Sequence, residues 1–190
     1  MNLLARLAQT SSGLALLAYP LLLLWGLRHL EPAAIALLLA ALWLLRRLLT
    51  EGRSPFDNAL AFAGIAVATL GFAANSEVIL RLYPVAVNAV FLALFAFSLR
   101  FPPTVVERIA RRQDPQLSAA GVRYAVRVTQ VWCAFFVVNG GIAIFTAFAS
   151  SREVWAWYNG FIAYLLIGAM FFGEWRLRRR FITRERQSGS

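Results

Sequence analysis

The chain contains no lysine, one cysteine (Cys133) and one histidine (His29) in 190 residues. A single cysteine excludes an intramolecular disulfide. One cysteine with one histidine also excludes the usual Cys/His zinc clusters. Acidic residues are scarce, nine against nineteen basic ones. None falls midway along an apolar run, which argues against a proton-coupled transporter, whose relays put carboxylates there. There is no Ser-His-Asp set, no metal-ligand spacing and no glycine loop of the phosphate-cradling kind. The residues therefore nominate no catalytic group, no metal site and no cofactor.

What is abundant is apolar surface. Hydrophobic residues make up 60% of the chain, against roughly 45–50% in soluble domains. Six segments approach the roughly 20 residues needed to cross a bilayer: Thr10–Leu27, Pro32–Leu45, Ala59–Ala74, Leu82–Leu99, Val128–Ala149 and Val154–Gly173. The expected fold is all-α, an integral-membrane helical bundle of six transmembrane helices in one domain, residues 1–190. Tyr19-Pro20 interrupts the first segment and the second is short. As a pair they are alternatively read as a shallow hairpin, which leaves the threading of the other four unchanged. Arg6 followed by Leu14–Leu27 imitates a signal peptide, but no small-x-small cleavage site follows, so the segment is read as retained. Residues 174–190 form a basic tail, with Gln187–Ser190 expected to be disordered.

Arginine sets the expected orientation, because cytoplasmic loops retain basic residues. With the N-terminus, the Arg46–Asn58 loop, the 100–127 loop and the C-terminus on one side, sixteen arginines fall there. Only Arg28, Arg81 and Arg152 fall on the other. Both termini are expected to be cytoplasmic. Tryptophan prefers the membrane–water boundary, and all six tryptophans lie near expected helix ends.

The most informative polar stretch is RFPPTVVERIARRQDPQ. Thr104 and Glu107 form a T-x-x-E capping box, which starts a helix. Val105, Val106 and Ile109 are expected on one face, with Arg108, Arg111 and Arg112 on another. Asp114-Pro115 stops the helix. A short basic amphipathic helix of this kind anchors on anionic membrane lipids or docks an acidic cytoplasmic protein. The tail, with Arg178, Arg179 and Arg180, adds to the same field. No nucleic-acid reader fold is present, and the topology already accounts for the charge, so no nucleic-acid partner is expected.

The segment TQVWCAFFVVNGG carries polar groups inside an apolar run. At about 100° per residue, Trp132, Asn139 and Thr146 share one face, while Gln130 and Gly141 share the opposite one. Polar or small residues on both sides place this helix inside the bundle. Gly140-Gly141 would let a neighbouring backbone approach, and Asn139 would hydrogen-bond across helices. Other polar groups near the membrane are Glu77, Arg81, Tyr83, Asn88, Tyr158, Asn159 and Glu174. Glu77 with Arg81, and Glu174 with Arg178, have the i,i+4 spacing of boundary ion pairs. A small intramembrane polar or lipid site would draw on Gln130, Asn139, Asn88, Asn159 and Glu77. Packing is the preferred reading over chemistry.

At FPPTVVERIARRQDP, VRYAVRVTQVWCAFFVVNGGIA and SREVWAWYNGFIAYLLIGAMFFGEW, the chain resembles a family of small bacterial polytopic membrane proteins. The genes of this family sit in aryl-polyene (xanthomonadin-like) pigment-lipid clusters. The resemblance covers Phe101 to Trp175 well and residues 1–100 loosely. It implies acyl carrier proteins and carrier-dependent enzymes as neighbours. Some members are labelled ketosynthase, an activity that requires a Cys nucleophile with two His partners in a larger soluble fold. Cys133 and His29 are expected near opposite sides of the membrane, so no catalytic residue carries over. The leading expectation is a non-enzymatic inner-membrane component that scaffolds or recruits soluble enzymes. The alternatives are a lipid or pigment transporter or flippase subunit, and a small integral-membrane enzyme using groups among Gln130, Asn139 and Asn159.

Overall fold

The computed structural model describes Glu31, Ala34, Ile35, Leu37, Ala41 and residues 55–188. The first expected segment and most of the second lie outside the described residues.

Helix α1 spans Pro55–Ala73. Proline suits the first helical position, where its missing N–H would have no intrahelical partner. The helix ends in a Schellman cap: Ser76 N–H donates to Gly71 O and Asn75 N–H to Phe72 O, both at 3.1 Å. Asn75 takes the left-handed conformation this requires, at φ 43°. The chain then turns back so tightly that a Cβ at Gly71 would lie 2.5 Å from Leu80 Cδ2. Only glycine admits the fully buried Leu80 at this distance.

Helix α2, Glu77–Arg81, passes through Leu82 into α3, Tyr83–Arg100. Helix α4 is Val105–Gln113 and α5 is Ala119–Ala149. Helix α6, Arg152–Trp157, runs through a π turn at Tyr158–Ile162 into α7, Ala163–Ser188. Among the described residues every regular element is helical. Three stretches are long and apolar enough to cross a membrane: Glu77–Arg100, Ala119–Ala149 and Arg152–Arg179. At about 1.5 Å per residue each exceeds the roughly 30 Å hydrocarbon layer. Phe62–Ala73 is apolar but shorter. Phe62 is 75% exposed and Phe148 65%, a display suited to lipid rather than water.

The closest helix pair is α3 with α5. One stripe of α5 is buried: Ala125, Thr129, Trp132, Phe136, Asn139, Gly140, Ala143, Thr146 and Ala147. The spacing of three and four residues is that of a single helix face. Phe91 and Phe95 of α3 each bring their rings to 5.3 Å from Phe136. Trp132 meets Phe171 of α7 at 4.9 Å. A second cluster joins Ile35, Leu80, Tyr83, Ala147, Trp155 and Ala156.

Several expectations change. Helix α5 begins nine residues before the expected Val128, because Ser118 caps it by accepting from Gly121 N–H at 3.0 Å. Trp132 therefore lies well inside the helix, 7% exposed, rather than at a boundary. Trp155 is also buried, with its indole N–H donating to Arg81 O at 3.1 Å. The face bearing Gln130 and Gly141 is exposed, so α5 is buried on one side and not on both. Glu174 forms no ion pair with Arg178, which donates instead to Gln113 Oε1 at 2.8 Å. The tail is helical through Ser188, so Gln187 and Ser188 extend α7 where disorder was expected.

Candidate functional site: a buried amide network and an arginine face

Two features bring together polar groups that the sequence scatters. The first is buried. Asn139 of α5 donates through Nδ2 to Asn88 Oδ1 of α3 at 3.0 Å. Its own Oδ1 accepts from the Tyr158 hydroxyl at 2.9 Å. Asn88 donates through its own Nδ2 to Pro84 O at 2.8 Å, within its own helix. One amide thus ties three segments. The close approach is allowed by Gly140, where a Cβ would stand 3.3 Å from Asn88 Cβ. Gly141 has open space around it, so only the first glycine of the pair serves this contact.

The π turn supplies the third segment. It carries more residues per turn than an α-helix, and its neighbours Tyr158 and Asn159 both reach α5. Asn159 Nδ2 lies 3.2 Å from Thr146 Oγ1 and 2.9 Å from Trp155 O. Thr146 in turn donates to Ala143 O at 3.1 Å. Asn88, Asn139, Thr146 and Asn159 are all buried, and each has a partner, as low dielectric demands.

The five residues expected to form one intramembrane site therefore divide. Asn88 and Asn139 are bonded to each other, and Asn159 belongs to the adjoining Thr146 pair. Gln130 is exposed, one helical turn from Arg127. Glu77 lies at the far end of the bundle, where its two carboxylate oxygens pair with Arg81 and Arg152. Arg81 also donates to Ser150 O at 3.4 Å. Tyr158 and Thr146 are the participants missing from the expected set. The shared face of Trp132, Asn139 and Thr146 was the available signal for Thr146. Among the described residues no three His, Cys, Asp or Glu side chains converge as metal ligands.

The second feature is the arginine face at the opposite end. Thr104 caps α4, with its hydroxyl accepting from Glu107 N–H at 3.2 Å. Only this half of the capping box forms. The Glu107 carboxylate instead accepts from Arg111, at 2.8 Å from Nη2, and Glu107 is 5% exposed. Ser98 of α3 fixes the entry, accepting from Val105 N–H at 3.1 Å. Ile109 is 50% exposed, so the packed side of α4 contains Glu107, with Val106 and Ala110 beside it, rather than a Val105–Ile109 stripe. The partner of an otherwise isolated buried carboxylate is thus one of the three arginines expected to face outward.

Arg108 Nε donates to Pro103 O at 2.9 Å, and both Arg108 and Arg112 are exposed. The Gln113–Arg178 bond sets the end of α4 beside α7, and the Tyr124 hydroxyl donates to Glu174 O at 3.3 Å. Arg179 stacks over the Trp175 ring at 4.1 Å. Arg180 lies within α7, and its side chain is outside the described ones.

Between α5 and α7 runs an apolar groove of about 700 Å3, with Tyr124, Arg127 and Glu174 at one end and Asn139 and Tyr158 at the other. These features define the class as an all-helical bundle with membrane-length apolar helices. Comparison with protein-family models, curated proteins and solved structures finds no match.

Proposed function

We propose that the chain is a non-enzymatic, multi-pass component of a bacterial inner membrane. In this reading it recruits an acidic acyl carrier protein, or carrier-dependent enzymes, to an aryl-polyene-type lipid or pigment pathway. The observation that carries the reading is the exposed arginine face of α4, held beside the basic end of α7 by the Gln113–Arg178 bond. Among the side chains described at this end, Arg100, Arg108, Arg111, Arg112, Arg123, Arg127, Arg176, Arg178 and Arg179 stand against Glu107, Asp114 and Glu174. Glu107 is already neutralised by Arg111. The remaining positive field suits an acidic protein, and the family resemblance supplies the kind of acidic protein. Such a field speeds encounter more than it deepens affinity, and salt screens it over about 8–10 Å.

The test is capture of a purified acidic acyl carrier protein by the full chain in detergent, at low and high salt. The variant is Arg108→Gln with Arg112→Gln. Arg111 is left in place because its loss would strand the buried Glu107. Wild type is expected to capture the carrier at low salt and release it at high salt, with the double variant weaker at low salt. Equal capture by both proteins would reduce α4 to a membrane-surface anchor, and failure of the wild type to capture the carrier at low salt would defeat the recruitment reading.

A further inference from the structure

We propose that the groove between α5 and α7 is a binding site for one single-chain amphiphile bearing a carboxylate, a free long-chain fatty acid in chemical class. The inference does not depend on the recruitment reading, and its test uses other residues.

The groove follows a stripe of α5 next to its buried stripe. Val131, Phe135, Val138 and Ile142 form one wall and Leu166 and Met170 of α7 form the other. Its volume of about 700 Å3 falls in the roughly 300–1,000 Å3 range of small-molecule sites. Two helices facing each other across one channel accommodate one chain. Arg127 and Asn139, at opposite ends, are twelve residues apart on α5, about 18 Å at 1.5 Å per residue.

The ends differ in chemistry. At the far end Asn139 and Tyr158 are bonded to each other, so the channel closes on satisfied polar groups and offers the tail no charge. At the mouth the Arg127 guanidinium forms no ion pair with a described carboxylate. Glu174 lines the facing wall without pairing to it, and its backbone oxygen is taken by Tyr124. Arg123, one turn before Arg127, adds positive charge on the α5 side. A single carboxylate at the mouth would find a guanidinium whose planar fork matches it bidentately. The Glu174 carboxylate opposite repels such an anion, so the Arg127 and Arg123 side of the mouth is where it would sit.

Gly173 allows a specific test. It lines the groove, and a Cβ there meets nothing within 4 Å. Gly173→Leu should therefore obstruct the channel near its mouth without disturbing packed neighbours. The full chain, delipidated in detergent, is photolabelled with hexadecanoate carrying a mid-chain diazirine, and labelled peptides are mapped. A phosphatidylglycerol with the same group on one chain is run in parallel. Saturable labelling by the hexadecanoate probe is expected at Val131, Val138 or Met170. Arg127→Gln should weaken it about tenfold or more, the scale of one charge-assisted hydrogen bond, and Arg127→Lys, which keeps the charge but not the bidentate fork, should fall between wild type and Arg127→Gln. Gly173→Leu should abolish it with the melting temperature of the delipidated protein unchanged.

Three results would overturn the proposal. Labelling spread evenly over the groove and the outward Val137, Phe145 and Phe148, and indifferent to Gly173→Leu, would mean annular detergent-like contact only. Groove labelling by the phosphatidylglycerol probe alone would make the occupant a membrane phospholipid. Absence of groove labelling by either probe, with Gly173→Leu lowering the melting temperature, would mean that residues 1–54 of the chain itself fill the channel.

Discussion

Replacing Asn139 with leucine removes two interhelical hydrogen bonds at once, one to Asn88 at 3.0 Å and one from Tyr158 at 2.9 Å. Interhelical bonds in membranes average about 0.6 kcal/mol and reach about 1.7, so Asn139→Leu should cost about 1–3 kcal/mol. Tyr158→Phe removes only one bond and changes no packing volume, so it should cost about 0.6–1.7 kcal/mol. Asn88→Leu removes one interhelical bond, to Asn139, together with the intrahelical bond to Pro84 O, so it should fall between the two. The decisive quantities are the couplings. Asn139 with Tyr158, and Asn139 with Asn88, should each show a coupling of about 0.6–1.7 kcal/mol. Asn88 with Tyr158, which share Asn139 but do not touch, should couple weakly. Reversible unfolding in mixed micelles, with the single and paired variants, measures all three. Under the proposed function, pathway product should fall only as folded protein falls. An Asn139→Leu no more costly than Tyr158→Phe would refute the three-way tie. A folded Asn139→Leu protein that abolished product would replace packing with chemistry.

Three further expectations follow from the geometry. Reporter fusions after Gly52, Asp114 and Ser190 should read cytoplasmic and one after Ser151 periplasmic, with a periplasmic signal at Asp114 overturning the threading. Gly140→Ala should cost about 1 kcal/mol, as overpacking against Asn88. Gly141→Ala should be neutral or stabilising by up to about 1 kcal/mol from helix propensity, and equal losses in thermal melts would contradict this contrast. Glu77→Gln deprives the 8%-exposed Arg81 of its carboxylate and should cost about 1.5–3 kcal/mol. Arg152→Gln, at the exposed partner, should cost less than about 1 kcal/mol, and a reversed order in the same melts would place the weight of the cluster on Arg152.

The apolar runs were legible because a bilayer leaves little choice of secondary structure, since every backbone group there must be bonded within the segment. Asn139 was legible as an interhelical donor for the same reason. Its partners were not, because pairing Asn88 with Asn139 across 51 positions depends on helix phase and crossing, which periodicity alone does not set. Glu107 illustrates the opposite failure. The local capping pattern placed the helix start at Thr104, yet packing against the bundle redirected the carboxylate from the backbone to Arg111. Trp132 departs from the boundary rule because it packs among the tilted rings of Phe95, Phe136 and Phe171, whereas Trp155 keeps its place near a helix end and bonds inward to the Arg81 carbonyl. Gln130 departs from the rule that polarity on both sides of a helix means burial, because it lies on an exposed face one helical turn from the exposed Arg127.

The π turn at Tyr158–Ile162 also acts as a phase setting for everything that follows it. It amounts to one residue more than an α-helical register would hold. Rewinding the same residues as plain α-helix, with none removed, would rotate α7 by up to about 100° relative to α6. Arg178 would then swing away from Gln113, and the backbone oxygen of Glu174 away from the Tyr124 hydroxyl, contacts that lie some 14 residues or more beyond Gly160. Excising Gly160, by contrast, would remove the residue that the wider turn absorbs and leave that phase nearly intact. The alignment of the basic tail with α4 is thus indexed by the winding of one turn near the other side of the bundle, and a change in that winding would reorient the arginine face without altering one of its side chains.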